Sequence, residues 1–279
     1  MKIVMPLFNF NYEGEEYKFS DIYTIKGFDP EKDIPKNCLD GISKIGLSQI
    51  SLENKALIAE SPDFDYYKSE INLLLLAFKI YACANVLIKW RFCDENQTHS
   101  TMLNDTYRNL LIDVNEFLSE SDLDNIKTGF HKLKEMYAIS ARMKNAIFFL
   151  WQSFHIGKHV GVYVFLTCAL EALFSGESRD KPTSILLNRI SSFVEGDSRF
   201  SKTQIDKIYD VRSDMVHGRI KHTDKKELEE RSKNLEKLAK LEALVFTCFR
   251  KFLDEEIYLK FNDEEEKESY LNNLTNKNR

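Results

Sequence analysis

Apolar and polar residues change their spacing once along this chain, and the change predicts two kinds of structure. The segments Lys2–Asn11 and Glu16–Gly27 are rich in Phe, Tyr and Ile, a composition typical of β-strands. Glu13 and Gly14 stand between them as a turn. The two segments are therefore predicted to form a β-hairpin at the start of the chain.

The stretch between this hairpin and residue 60 carries weaker signals. Asp29–Leu39 contains two prolines and is predicted to be a loop. Short strands are predicted around Ile42–Leu52 and Ala56–Glu60. They add to the strand content of the first part of the chain.

The apolar run Ile71–Ile88 is long enough to raise the question of a membrane span. Lys79 and Asn85 interrupt it, and a lysine at the centre of a bilayer is costly. We therefore expect no membrane span. A buried helix from Lys68 to about Ala82, followed by a strand over Val86–Phe92, is predicted instead.

The strand signals end before the middle of the chain. Ser121 opens a further helix, and beyond Arg142 only long apolar helices follow, so a domain boundary is predicted near Ser140. The predicted fold class is α+β, with a mixed α/β-strand domain over residues 1–140 and an all-α helical bundle over 141–279. The helix that starts at Ser121 has apolar residues at three-to-four spacing, namely Leu123, Ile126, Phe130, Leu133 and Tyr137.

Five helices are predicted for the second half. The first two are apolar around most of their circumference, which is typical of the central pair of a bundle. After Asp263 the chain becomes acidic and then Asn-rich, and a disordered tail is predicted there. The predicted helices are Arg142–His155, Val160–Phe174, Pro182–Val194, a fourth that follows Ser201, and a fifth from about Asp224 to Phe252.

The fourth helix carries an unusual charge. Ser201 and Gln204 have the spacing of a capping box, and Gly218 is expected to end the helix. Arg212 falls inside the apolar stripe, where an amphipathic helix normally has a Leu. Its guanidinium cannot lose its charge, so it needs a carboxylate, a phosphate or a partner subunit nearby, unless its stem covers the edge of the core and its head reaches water. The apolar stripe consists of Ile205, Ile208, Tyr209, Met215 and Val216.

His217 follows Arg212 by five residues and stands next to the expected helix end. A helix end frees the backbone to aim the imidazole into an exposed site. In an ideal helix the directions of Arg212 and His217 differ by about 140°, so one helix does not easily bring both to a single phosphate. The two side chains can act together if the last turn unwinds, or if a second copy of the helix contributes its own pair.

The segment Tyr209–Gly218, read as Tyr-x-x-Arg-Ser-x-x-Val-His-Gly, resembles the signature of the HEPN domains, in particular the Apea-like branch. The resemblance extends upstream to the segments Ala169–Leu173 and Leu187–Ile190 and covers the chain from about Arg142 onward. It implies metal-independent RNA cleavage at a dimer interface without a cofactor, with Arg212 and His217 as the catalytic pair. Tyr209 and Ser213 are supporting residues within the motif, and many active members have Asn, Asp or His where this chain has Ser213.

Glu171 is a further candidate site residue, because it interrupts an apolar helix. A buried carboxylate usually has a specific partner, so an ion pair or hydrogen bond with Arg212 or Arg189 is favoured over direct catalysis. His155 and His159 are four residues apart, as in some metal sites. Two histidines without a third ligand are more often surface residues, so no metal site is predicted.

A basic run follows the motif directly. Runs of this kind are usually solvated loops, but beside Arg212 and His217 this one has the chemistry to hold flanking phosphates of RNA. The net charge of −5 argues against a protein that coats nucleic acid along its whole surface. The residues assigned to RNA binding are Arg219, Lys221, His222 and Lys225.

Cysteine usage and the first residues indicate where the protein works. The five cysteines are scattered and include no Cys-x-x-Cys pair, so neither a disulfide framework nor a zinc site is indicated. Residues 1–11 lack the sustained apolar region of a secretory signal. A cytoplasmic location is therefore predicted.

The motif leads to one functional hypothesis and two rivals. The leading hypothesis is a defence-type endoribonuclease, antiviral or toxin-like, that acts as a homodimer on RNA. Its N-terminal domain is expected to sense a trigger, such as a regulatory protein, or to select the target. The first rival is a noncatalytic HEPN module that binds RNA, a nucleotide or a regulatory partner, and Ser213 is the residue that favours it. The second is a purely structural dimerisation domain.

Overall fold

A computed structural model of the chain describes residues 2–40, 42–60, 64–93, 112, 115, 117–156, 158–176, 182–216 and 227–276. The chain forms two compact units. Met1–Asp105 with Val114–His131 is the first, and Thr106–Asp113 with Lys132–Arg279 is the second. The described residues have an α+β fold, with an antiparallel sheet in the first unit.

Six short strands form the sheet, in the order β2-β3-β4-β1-β5 with β6 also paired to β1. All of the pairings are antiparallel, with Val4 of β1 opposite Ile58 of β4 and Ile25 of β3 opposite Leu57 of β4. The strands are β1 (Lys2–Phe8), β2 (Glu16–Lys18), β3 (Tyr23–Gly27), β4 (Lys55–Glu60), β5 (Leu87–Ile88) and β6 (Phe92–Cys93).

The predicted hairpin between the first two segments is wrong. β1 pairs with β4, β5 and β6, and the hairpin lies instead between β2 and β3. β1 is buried at six of its seven positions, so it needs cover on both faces and belongs inside the sheet, whereas β2 alternates as an edge strand does. The segment Glu16–Gly27 is split because Ser20 Oγ accepts from the backbone N–H groups of Ile22 (3.1 Å) and Tyr23 (3.2 Å), which forms a turn.

Three short helices replace the loop predicted over Asp29–Leu39 and the strand predicted over Ile42–Leu52. They are α1 (Pro30–Asp33), α2 (Lys36–Leu39) and α3 (Lys44–Ile50). Side-chain caps explain two of them, since Asp29 Oδ1 accepts from the N–H of Glu31 (3.1 Å) and Ser43 Oγ accepts from the N–H of Gly46 (3.1 Å). The strand predicted at Ala56–Glu60 is confirmed as β4. This segment packs on the sheet through Cys38 of α2, Ile50 of α3, and Ile34 and Ile42, which follow α1 and α2; all four belong to one core cluster with Val4, Phe8, Ala56 and Ile58.

Two long helices complete the first unit, and both were predicted. α4 spans Phe64–Ala82, and α5 spans Glu120–Ile139 and continues into the second unit. Gly129 of α5 allows close approach to α4, since a Cβ there would lie 2.0 Å from the ring of Tyr81. Tyr137 was predicted to lie on the apolar side of α5, but it is 37% exposed, and its neighbour Met136 is buried instead. The strand predicted over Val86–Phe92 is two shorter strands, β5 and β6.

The described part of the chain contains no helix that is long and apolar enough to cross a membrane. Lys79, which interrupts the apolar run of α4, is 1% exposed, and its Nζ lies 3.3 Å from Asn85 Oδ1. The run therefore forms part of a protein core in which a buried lysine has a polar neighbour.

The second unit is helical where it is described. All five predicted helices are present. Three of them and the 3-10 helix that follows contribute to a cluster of Phe174, Phe193, Phe252 and Phe261, with ring centroids 4.9 to 5.5 Å apart. The helices are α6 (Ala141–Ser153), α7 (His159–Phe174), α8 (Pro182–Phe193), α9 (Lys202–Val216), α10 (Glu227–Asp254), a 3-10 helix (Ile257–Asn262) and α11 (Glu264–Asn276).

The disordered tail predicted after Asp263 is wrong, because this segment forms α11. Asp263 Oδ1 accepts from the N–H groups of Glu265 and Glu266, both at 2.9 Å, and caps the helix. Leu271 and Leu274 are buried on one face. The acidic composition that suggested disorder instead suits the first turn of a helix, where the helix dipole favours negative charge.

Candidate functional site

The helix that carries the motif begins as its sequence predicts. The N–H of Ser201 donates to Gln204 Oε1 (2.8 Å), and the N–H of Gln204 is 3.3 Å from Ser201 Oγ, so the capping box is confirmed. Ile205, Ile208 and Tyr209 are buried at 0%, 3% and 4% exposure. The described part of the predicted apolar stripe therefore faces the interior of the helical unit.

A buried tyrosine ties α9 to α7. The hydroxyl of Tyr163, which is fully buried, donates to the carbonyl oxygen of Ile208. Burial, with a smaller contribution from Asp210, raises the pKa of Tyr163, so this hydroxyl stays protonated and remains a donor. The bond fixes α9 one turn before Arg212.

The structure describes only part of the predicted site. The backbone of Arg212 and Ser213 belongs to α9, but their side chains lie outside the described part of the structure. Tyr209 is buried, as expected from its place in the apolar stripe, and Glu171 is half-buried on α7. The remaining predicted site residues lie outside the described residues, namely His217, Arg219, Lys221, His222 and Lys225.

Glu171 lines a cleft of about 560 Å³ on the helical unit. The cleft is formed by α6, α7, the 3-10 helix and the first turn of α11, and its lining includes Arg142, Phe149 and Cys168. Lys267 of α11 also lines it, and this ammonium pairs with Glu264 and lies 3.5 Å from Glu268. The cleft therefore combines charges of both signs with aromatic walls.

Two arginines close the C-terminal end of α7 beside this cleft. Arg142 Nε donates to the carbonyl oxygen of Ala172 (2.6 Å), and its Nη2 donates to that of Ser175. Arg189 Nη1 donates to the carbonyl oxygen of Phe174 (2.9 Å). The last carbonyl groups of a helix have no hydrogen-bond donor within the helix, and they form the negative end of the helix dipole. The two guanidinium groups supply both the donors and the positive charge.

Arg189, one of the two partners predicted for Glu171, binds groups at the ends of other helices. Besides Phe174, the guanidinium of Arg189 donates to Thr275 Oγ1 (3.0 Å) and Asn272 Oδ1 (3.4 Å), both on α11. Burial lowers the pKa of Arg189, and the nearby Glu268 opposes this shift. These partners of Arg189 come from α11, a helix that was not predicted from the sequence. The alternative partner, Arg212, has its side chain outside the described part.

Sequence reasoning missed the role of Arg142. Burial lowers the pKa of its guanidinium, while the nearby Glu268 and Glu264 act in the opposite direction. Its partners Ala172 and Ser175 are 30 and 33 residues away. Only the antiparallel packing of α6 on α7 brings them together, so no local pattern would have revealed this contact.

The two histidines considered as metal ligands have different surroundings. His155 Nδ1 lies 2.9 Å from the carbonyl oxygen of Trp151, one turn earlier, whereas His159 is exposed as the first residue of α7. Within the described ranges, no three side chains of His, Cys, Asp or Glu come close enough together to hold a metal ion. This part of the structure therefore contains no candidate metal centre.

Comparison with protein-family models, with curated proteins and with solved structures found no match to this chain. The HEPN resemblance is therefore carried by the motif residues and by the order of the helices around them. It remains a hypothesis about this protein.

Proposed function

We propose that this protein is a metal-independent endoribonuclease of the HEPN type, acting in host defence, with Arg212 and His217 as its catalytic pair. The observation that carries the proposal is α9. Its capping box and its buried Ile205 and Tyr209 support the interpretation that the motif begins within a helix, in a unit that is helical where it is described. A motif that occurred by chance would have no reason to lie on a capped helix with a buried apolar side.

The chemistry requires one acid, one base and a group that stabilises negative charge. A neutral imidazole of His217 takes the proton from a ribose 2′-hydroxyl, whose oxygen attacks the phosphorus and forms the new P–O2′ bond. The bond to the 5′-oxygen breaks, and a protonated imidazole returns a proton to this leaving group. Arg212 stabilises the charge on the phosphorane. Two copies of the pair across a twofold axis supply the acid and the base together.

The basic residues after the motif and the first unit have separate roles in the proposal. Arg219, Lys221, His222 and Lys225 bind phosphates on either side of the cut. The N-terminal unit senses a trigger or selects the target. A noncatalytic module that binds RNA remains the second candidate, and the residue that favours it is Ser213.

The test is RNA cleavage by the full chain and by the variant His217→Ala. Because the pair acts in the transition state, we expect the variant to lose cleavage by about 100-fold or more while it keeps its circular dichroism spectrum and melting temperature. The matched control is His131→Ala, an exposed histidine on α5, which should cleave as wild type does. Equal activity of the wild type and His217→Ala would exclude the catalytic role.

The nature of the RNA ends distinguishes this mechanism from that of a metal nuclease. Cleavage should continue in excess EDTA, leave a 2′,3′-cyclic phosphate and a 5′-hydroxyl, and fail on a substrate with a 2′-deoxy nucleotide at the cut. The rate should follow a bell-shaped pH profile, because one imidazole acts unprotonated and its partner protonated. Binding of RNA without any cleavage would favour the noncatalytic module.

A further inference from the structure

The cleft on the helical unit has two helical walls. Residues 142, 145 and 149 line it from α6, and residues 168, 171, 172 and 175 line it from α7. These positions recur at three-to-four spacing, which places each set on one side of its helix. The 3-10 helix and the first turn of α11 add a third side. The volume of about 560 Å³ falls within the range of roughly 300–1,000 Å³ that is typical of small-molecule sites.

Arg142 has hydrogen-bonding capacity that the described part of the structure leaves unused. Its Nε and Nη2 donate along one edge of the guanidinium to the carbonyl oxygens of Ala172 and Ser175. Among the described residues, none accepts from Nη1, and no carboxylate forms an ion pair with this arginine. Nη1 and the second N–H of Nη2 therefore remain as an end-on fork. Such a fork matches the two oxygens of a carboxylate.

Two neutral polar side chains line the same cleft. Asn145 is exposed on α6, and Ser175 is half-buried at the end of α7. Within the described ranges, neither the amide of Asn145 nor the hydroxyl of Ser175 has a hydrogen-bond partner. An amide and a hydroxyl each donate and accept, so both groups are available to the polar end of a ligand.

Aromatic side chains supply the apolar part of the cleft. The guanidinium carbon of Arg142 lies 5.9 Å from the ring centroid of Phe261, which is 5% exposed. Phe149 is half-buried seven residues after Arg142, which is about 10 Å along α6. A ligand whose anionic end binds Arg142 therefore finds aromatic surface for an apolar body.

The charges that line the cleft favour a ligand with one negative charge. Arg142 and Lys267 are the lining cations, and Glu171 and Glu264 are the lining anions. Lys267 pairs with Glu264, and Glu171 has an interaction of its own, so among the described lining residues Arg142 is the cation that can receive an anion. A phosphate dianion would lie beside two carboxylates, and contacts between like charges oppose binding. A single carboxylate is the better match.

We propose that this cleft binds a small aromatic carboxylate, with the carboxylate on the end-on fork of Arg142 and the ring between Phe149 and Phe261. The amide of Asn145 and the hydroxyl of Ser175 donate to the same carboxylate. Aromatic amino acids and aromatic acids without an amine share this chemistry. The binding is separate from the proposed RNA cleavage, because α6, α7, the 3-10 helix and α11 form the cleft, whereas the motif begins on α9.

The experiment is ligand binding to the full chain, measured by ligand-observed NMR titration with 3-phenylpropionate, L-phenylalanine and 3-phenylpropanamide. The amide keeps the shape of 3-phenylpropionate but has no charge, so we expect it to bind at least about tenfold more weakly than the acid. The better of the two carboxylates shows which source the cleft prefers, since they differ in the ammonium group. Failure of both carboxylates to bind, or equal binding of the amide, would overturn the proposal.

Asn145→Asp tests the position of the carboxylate. A negative charge beside the fork should weaken the binding of 3-phenylpropionate by about tenfold or more, and a change at this exposed position should leave the melting temperature as in wild type. The matched control is Asn273→Asp, the same change at an exposed position of α11 outside the cleft, and it should bind as wild type does. Unchanged affinity in Asn145→Asp, or an equal loss in Asn273→Asp, would also overturn the proposal.

Arg142→Lys tests the fork itself. Lysine keeps the positive charge but has no planar pair of donors, so the preference for the acid over the amide should fall to about threefold or less. An unchanged preference would contradict the role of the fork. If Arg142→Lys does not fold, because Arg142 also closes the end of α7, Asn145→Asp tests the same carboxylate position.

A second pair of variants tests the aromatic wall. Phe149→Ala removes a ring that lines the cleft, whereas Phe148→Ala removes its exposed neighbour, which lies outside the lining. We expect Phe149→Ala to weaken the binding of 3-phenylpropionate by about threefold to tenfold, and Phe148→Ala to leave it unchanged. If Phe149→Ala does not fold, Phe149→Leu takes its place. Equal affinities in the two variants would show that the ring does not bind in this cleft.

Discussion

The ends of α4 and α7 show two ways of closing a helix. At the end of α4, the N–H of Ala84 donates to the carbonyl oxygen of Phe78 (3.2 Å), and Cys83 has the left-handed φ of +50°. Asn85, which follows directly, lies beside Lys79. These contacts fall within eight consecutive residues, so the local chain closes this helix.

The end of α7 is closed by side chains from other helices. Arg142 comes from α6 and Arg189 from α8, and the latter is held in turn by Thr275 and Asn272 of α11. Gly176 leaves room for them, since a Cβ there would lie 2.6 Å from Arg189 Nη1. A local closure should tolerate changes elsewhere in the chain, whereas a closure by remote side chains should fail when one of them is lost.

The largest effect is expected for Arg189→Met. The residue is 2% exposed, and its loss leaves the carbonyl oxygen of Phe174 and the carboxylate of Glu268 without this cation, so we expect a loss of about 3 kcal/mol in the free energy of unfolding. Denaturant unfolding measures this loss, and hydrogen exchange should locate it at the end of α7. The control Arg199→Met removes a side chain that is 62% exposed and should cost about 0–1 kcal/mol. Equal losses in both variants would remove the distinction between the two helix ends.

A smaller effect is expected for Cys83→Val at the end of α4. A β-branched residue is disfavoured at positive φ, so we expect a loss of about 1–2 kcal/mol in the free energy of unfolding. Cys83→Gly is the matched variant, because glycine adopts this conformation without strain, and it should unfold within about 1 kcal/mol of wild type. Equal free energies of unfolding for the valine and glycine variants would show that the left-handed conformation of Cys83 does not close α4.

The smallest effect is expected for Ser201→Ala, which tests a second local closure, at the start of α9. The substitution removes the acceptor for the N–H of Gln204, and it should lower the free energy of unfolding by about 1 kcal/mol. Thr203→Ala, an exposed change in the same turn, should be neutral or slightly stabilising because alanine has the higher helix propensity. A loss at Ser201 as large as that at Arg189 would contradict the ranking of local and remote closures.

The same division explains which predictions from the sequence were correct. The helices α4, α5 and α9 were predicted because their apolar spacing and caps act over a few residues. The region 29–52 was predicted wrongly. Its helix caps at Asp29 and Ser43 are local signals too, but the prolines and β-branched residues beside them favoured a loop and a strand in the prediction. At the candidate site, the sequence predicted the motif helix, whose buried stripe is described as far as Tyr209. It did not predict that Arg142 and Arg189 close the end of α7.

By itself, the sequence determined the elements whose hydrogen bonds close within a turn, among them the capping box of α9 that precedes the Arg212 and His217 motif. Only the tertiary structure decided that β1 lies between β4 and β5, that α11 docks against Arg189, and that the outer side of α7 remains half-exposed. The physical reason is the range of the interactions. A cap is formed by residues that are neighbours in the chain, whereas burial depends on which distant elements pack against a surface. The sequence shows that a residue is apolar, but not whether a strand, a helix or another molecule covers it.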